Sequence, residues 1–177
     1  MPLAIRIAAL ALLALTAAAS AEPVTVAGIV YPDRVGEFSR GSGRDYEKTN
    51  PGLGYSFAYH HAAWTATVYV YDDRRPAIAD GPDSATVKAE FAEAKRGILG
   101  MLKNAEFVRD FTLPARGTPR FICANFKLPD APGDWRDSTL CVTAAKGKFV
   151  KFRVTGPNPT ETVKFIEAWD TLLRPGA

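Results

Sequence analysis

The sequence predicts an α+β fold: an antiparallel β-sheet of about six to seven strands with two amphipathic helices packed on it. Three observations predict it. Runs with a two-residue hydrophobic period recur from the middle of the chain to its end. Short turn signals separate most of them, which favours antiparallel hairpins. Only two segments carry a helical period, too few to alternate with strands in a doubly wound sheet.

The chain opens with Met1 and Arg6, an apolar run from Ile7 to Ala19, and Ala19-Ser20-Ala21 before Glu22-Pro23. A charged start, a hydrophobic middle and a small-residue cleavage site are the layout of a secretory signal peptide. The apolar run, about 13 residues, is short of the roughly 20 that span a bilayer. Cleavage between Ala21 and Glu22 is expected, leaving residues 22–177 as a single α+β domain. No cysteine stands near that point, so a lipoprotein anchor is not expected. The expected location is a periplasm, or the medium outside the cell. Only Arg6 among the charged residues leaves with the peptide, so 21 Lys+Arg face 19 Asp+Glu in the remainder. That balance gives no argument for nucleic acid as a partner. No later stretch has the apolar length of a membrane span.

The elements follow in order. Val24 to Tyr31 is a short apolar run ended by Pro32-Asp33. The polar stretch from Arg34 to Asn50 holds Gly36, Gly41 and Gly43 and leaves room for one irregular strand near Gly36 to Tyr46. Asn50-Pro51-Gly52 is a turn. Leu53 to His60 and Trp64 to Asp72 alternate with period two and are joined at His60-His61-Ala62-Ala63, with aromatic residues on both faces. After the turn Asp80-Gly81-Pro82, a helix is predicted from about Ser84 to Lys103, capped by Asp83 or Ser84. Its apolar stripe is Val87, Phe91, Ala94, Ile98, Met101 and Leu102. Four strands come next: Glu106 to Leu113, Pro119 to Leu128, Asp137 to Ala145 and Lys148 to Thr155. The last two meet at Lys146-Gly147. Asn158 caps a second helix from Pro159 to Leu173, whose buried stripe is Val163, Ile166, Trp169, Leu172 and Leu173.

Cys123 and Cys141 lie in neighbouring strand-like runs on either side of the loop Pro129 to Trp135. If that hairpin folds about residue 132, the two cysteines face each other. A directly opposed pair can form a disulfide in an oxidising compartment. The other reading is two buried, unjoined thiols. No Cys-x-x-Cys is present to support redox catalysis.

The hairpin ending Ala66-Thr-Val-Tyr-Val-Tyr-Asp72, the helix Ser84 to Lys103, the meander Glu106 to Thr155 and the closing helix ending Trp169-Asp-Thr-Leu-Leu173 together form a pattern. It resembles the Mog1/PsbP-like architecture, an α/β/α sandwich, over roughly residues 53 to 173. Members of that fold serve as photosystem accessory subunits, nuclear-transport cofactors and exported proteins. The resemblance implies a binding or accessory role and carries over no functional residue.

His60 and His61 are the only histidines. Adjacent strand residues point to opposite faces, so the two share a site only if they lie in the turn. Joined by Asp72, they make the alternative reading, a periplasmic hydrolase. Arg40-Gly-Ser-Gly-Arg44 reads as a flexible basic loop whose amides and arginines can cradle an anion. It lacks the lysine and the length of a phosphate-binding loop. Tyr55, Tyr59, Tyr69 and Tyr71, with Trp64, are candidates to line a pocket for a lipid, glycan or peptide, or else core. Lys146, Lys148, Lys151 and Arg153 cluster on the last hairpin, with Lys151 and Arg153 sharing a face with Phe149. They form either a solvated face or a contact surface for an acidic partner. No motif marks a catalytic residue, a metal ligand or a cofactor site. The reading is an exported, soluble, non-enzymatic binding or accessory module for a protein or a small ligand. Its contacts are sought among His60, His61, Tyr59, Trp64, Tyr69, Arg40 and Arg44.

Overall fold

The computed structural model describes residues 22–131 and 133–174. The expected signal peptide, residues 1–21, lies outside the described residues. Val24–Val26 (β1) and Ile29–Tyr31 (β2) form a small hairpin of their own, turned by Ala27 and Gly28 at φ of 52° and 76°. Eight further strands build one antiparallel sheet: Arg34–Val35 (β3), Phe38–Asp45 (β4), Tyr55–His61 (β5), Trp64–Tyr71 (β6), Glu106–Leu113 (β7), Phe121–Pro129 (β8), Trp135–Ala145 (β9) and Lys148–Gly156 (β10). Their order is β3-β4-β5-β6-β10-β9-β8-β7. The sheet is therefore larger than the expected six to seven strands. The surplus includes Arg34–Val35, a piece too short to show a period, which pairs with β4; the first apolar run breaks into β1 and β2, a hairpin outside the sheet.

Among the described residues two helices complete the fold, Ala85–Met101 (α1) and Pro159–Leu173 (α2). Ser84 caps α1 by accepting from the Val87 amide at 3.1 Å. Asn158 caps α2 by accepting from the Thr160 amide at 3.0 Å, with Pro159 in the first turn. No helix among the described residues is long and apolar enough to cross a membrane.

Alternation along the strands sorts the core into two layers. Val150, Phe152 and Val154 of β10, Ala66, Val68 and Val70 of β6, and Phe121 of β8 face α2. Trp169 of α2 is fully buried in that layer, with the rings of Tyr31, Tyr59 and Phe152 at 5.8, 5.9 and 5.8 Å between centroids. On the other face, Leu140, Val142, Ala144, Ala124, Phe126 and Phe149 meet Val87 and Ile98 of α1. The helices thus lie on opposite faces, making three layers. The α1 stripe differs from expectation at its end: Val87 and Ile98 are buried, but Met101 is 78% exposed and Leu102 40%. α1 packs on β8 and β9, and its last turn runs past the cover that those strands provide.

β8 and β9 pair with Cys123 opposite Cys141, and Ile122 opposite Val142. The two cysteines are joined, with Cα atoms 4.1 Å apart, the close spacing of a non-hydrogen-bonded antiparallel pair. Both are fully buried under α2. Closing a loop of sequence separation 18 restricts the unfolded chain. Replacing Cys123 and Cys141 together by alanine is expected to lower stability by about 3 kcal/mol, measured by urea unfolding. A loss below about 1 kcal/mol would show that the bond is not a determinant of the fold.

Candidate functional site

The residues singled out from the sequence do not converge. His60 and His61 end β5 and point to opposite faces. His61 stacks on Trp64, with centroids at 5.8 Å and planes at 24°, while His60 is exposed on the α1 side. Both lie in the strand, opposite Thr65 and Trp64. Asp72 follows the far end of β6, roughly 25 Å from Trp64 at the rise of an extended strand. There it is bonded to Lys148 and accepts from the Arg74 amide at 2.8 Å. The hydrolytic centre expected from His60, His61 and Asp72 is not assembled. A strand places its two histidines apart, and the carboxylate belongs to the opposite end of the sheet.

Tyr59 belongs to the core. Its hydroxyl donates to the Pro32 carbonyl at 2.9 Å, and burial raises its pKa above the usual tyrosine range. Trp64 donates from Nε1 to the Asn158 carbonyl at 3.1 Å. Its ring occupies the space a side chain at Gly156 would need, since a Cβ there would fall 2.0 Å from Trp64 Cδ1. Tyr59 and Trp64 are thus structural. Arg40-Gly-Ser-Gly-Arg44 is no loop but part of β4, with a bulge between Arg40 and Gly43. Its glycine answers packing: a Cβ at Gly43 would lie 2.4 Å from Phe57 Cε1. Arg40 donates to the carbonyls of Tyr31 and Glu22, holding the first described residues against the sheet. Arg44 lies over the Tyr46 ring at 5.0 Å. The bulge sends the two arginines to different places, so they do not cradle one anion.

Tyr69 and Arg44 do meet other polar side chains, on the part of the α1 face that α1 leaves open. Pairing aligns Arg44, Ser56, Tyr69 and Lys151 across β4, β5, β6 and β10. A second row sets Ala58, Thr67 and Arg153 beside it. Neighbouring strands are about 4.8 Å apart, so these side chains form one continuous surface. Tyr46 hydrogen-bonds Ser56 Oγ at 3.2 Å over the first row. Lys151 sits 4.6 Å from the Tyr71 ring and 5.4 Å from that of Tyr69. Burial pushes its ammonium below the usual lysine pKa, against the pull of Glu90 of α1 at 3.5 Å. Glu90 also accepts from the Tyr71 hydroxyl, so Lys151 is a satisfied cation.

Arg153 is different. Its guanidinium lies over the Phe126 ring at 5.7 Å, and Nε donates to Ser138 Oγ at 2.8 Å. Ser138 in turn shares a hydrogen bond with Thr155 Oγ1 at 2.7 Å. Among the described residues, no carboxylate pairs with Arg153, and its two terminal nitrogens have no partner. Desolvation lowers its pKa. A half-buried cation with an open, planar donor fork has the chemistry to receive a carboxylate, sulfate or phosphate. The side chains missing from the sequence reading of this site are Tyr46, Glu90, Phe126 and Ser138. Only the pairing of β6 with β10, residues far apart in the chain, brings the site together.

Three concavities lie elsewhere. One of 330 Å³ includes Glu47, Asp72 and Lys148 in its lining, but Glu47 is spent on the amides of Gly52 and Gly54. One of 210 Å³ lies between β3 and α2. One of 150 Å³ is lined by Arg120, Thr143 and Asp170, where Asp170 bonds Arg120 at 2.7 Å and also Arg174. No group of three or more metal-ligating side chains occurs among the described residues.

No protein-family model and no curated protein matches the chain. Among solved structures, it is similar to the solution structure of cyanobacterial PsbP (CyanoP) from Synechocystis sp. PCC 6803. The identity is 16%, 81% of each chain is covered, and the TM-score is 0.39. This is the same weak resemblance that the order of elements carries in the sequence, and no residue's role is taken from it.

Asp170 supplies a test of the electrostatics. Burial raises its pKa, but the hydrogen bonds from Arg120 and Arg174 outweigh that and hold it below 3.8. A depressed carboxylate stabilises the fold above its unfolded pKa, and the effect fades as pH falls through the folded value. Asp170→Asn is expected to cost about 2 kcal/mol at neutral pH. The gap from wild type should narrow as pH falls from about 5 toward 2, read by urea unfolding. A gap independent of pH would refute this assignment.

Proposed function

We propose that the protein is an exported binding module whose open sheet face takes an acidic ligand or an acidic segment of a partner protein. The observation that carries this reading is Arg153, placed over the Phe126 ring with its donor fork unpaired among the described residues. Tyr69, Tyr46 and Arg44 extend the same surface with aromatic and cationic groups. The preferred ligand has an anionic group for Arg153 and a flat or apolar body to lie on Tyr69. Binding, not catalysis, suits a surface on which no nucleophile and base are placed together.

Export is supported by the layout of residues 1–21 and by a buried disulfide, which suits an oxidising compartment. Two experiments follow. Titration with naphthalene sulfonate, an aromatic anion, should shift the amide resonances of Thr67, Tyr69, Ser138 and Arg153. Arg153→Gln should weaken that binding about tenfold. Shifts centred elsewhere, or an unchanged affinity in the variant, would sink the ligand site. For export, the full chain expressed in a Gram-negative host should be recovered from the periplasm starting at Glu22. Its intact mass should be two hydrogens short of the reduced chain. Recovery in the cytoplasm with Met1 retained would reject export.

A further inference from the structure

Five of the seven large apolar side chains that are exposed among the described residues stand at one corner, where α1 hands over to β7. They are Met101 at 78% exposure, Val108 at 49%, Phe107 at 45%, Leu99 at 42% and Leu102 at 40%. The chain turns there in a few residues: Leu102 closes α1 on the Ile98 carbonyl at 3.0 Å, and the Ala105 amide returns to the Leu102 carbonyl at 3.1 Å. Lys95 lies 4.6 Å from the Phe107 ring. Leu99 is one helical turn beyond Lys95 on the same side of α1. Val108 is the unpaired residue of a bulge between Phe107 and Arg109. A bulge re-aims its side chains, and here it keeps Phe107 and Val108 at the same corner.

The charges along this stretch of chain lean positive. Between Lys95 and Asp110 the sequence has Lys95, Arg96, Lys103 and Arg109 against Glu106 and Asp110. Asp110 is engaged by Lys95 at 2.7 Å; Glu106 lies opposite Lys127 in register, but Lys127 is bonded to Asp137, so Glu106 has no cationic partner among the described residues. Arg96 and Lys103 have no carboxylate partner among the described residues, while Arg109 lies over the Phe111 ring at 5.6 Å on the α2 side of the sheet.

We propose that the α1–β7 corner docks on an anionic lipid surface, with Met101, Leu99, Leu102, Phe107 and Val108 entering the interface and the free cations meeting headgroups. An apolar tip collared by cations matches the layered chemistry of such a surface. None of the three concavities described above is lined by a residue between Arg96 and Arg109. The bulge also blunts β7 as a template for strand addition.

The test is co-sedimentation of the chain from Glu22 onward, which carries every described element, with vesicles of phosphatidylglycerol or of phosphatidylcholine. The chain should pellet with the first and stay in solution with the second. Met101→Asp, at an exposed position, should reduce partitioning about tenfold. Arg96→Gln with Lys103→Gln should weaken binding and erase the preference for phosphatidylglycerol. Arg153→Gln should bind vesicles like wild type. The proposal is overturned if neither vesicle binds, if Met101→Asp pellets unchanged, or if Arg153→Gln abolishes binding. It is also overturned if Met101→Asp converts a dimer to a monomer in sedimentation velocity, which would assign the corner to a second copy of the chain.

Discussion

The bond between Cys123 and Cys141 joins directly opposed residues of β8 and β9, and the two-layer core depends on that register. Side chains alternate between faces along a strand, so a slip by one residue would exchange the layers. Phe121 would leave the α2 layer, and Phe126 and Ala124 would leave the α1 layer. β9 passes the same alternation to β10, where Phe152 and Val154 go to α2 and Lys151 and Arg153 to the other face. The cystine therefore does more than link two strands. It holds the register that sends Phe121 to one core layer and Phe126 to the other.

Local features of the fold were legible. The loop Pro129 to Trp135 placed the hairpin's centre well enough to put Cys123 opposite Cys141. Asn158-Pro159 marked the start of α2, and Ser84 that of α1, because capping chemistry is written in adjacent residues. Long-range features were not legible. β6 pairs with β10 across an interval that contains α1 and three strands, and no periodicity reports such a partner. Tyr69 and Arg153 stand in separate groups of candidates in the sequence, an aromatic set and a basic cluster, and only that pairing sets them on one face. Periodicity also assigned Met101 to the buried stripe of α1. It gives a helix its apolar side but does not say where the sheet beneath it ends.

Glycine misled for a related reason. Arg40-Gly-Ser-Gly-Arg44 has the composition of a mobile loop, yet Gly43 is small because the Phe57 ring lies over it. Gly156 is small because Trp64 does the same. A missing side chain can mark a neighbour's needs as readily as a turn or an anion. The histidines illustrate the converse. His60 and His61 are the residues most readily suspected of chemistry, and the pleat alone is enough to separate them.

The order of strands also bears on how the chain can assemble as it emerges. β3 to β6 form one block, β7 to β9 another, and only β10 touches both. Each block has local pairings, and the second can close its cystine without help from the first. Until residue 156 is free, however, the inner edges of β6 and β9 stay unpaired and the sheet stays in two pieces. A chain threaded amino-terminus first therefore stays open for nearly its whole length, and it closes only when its last strand arrives.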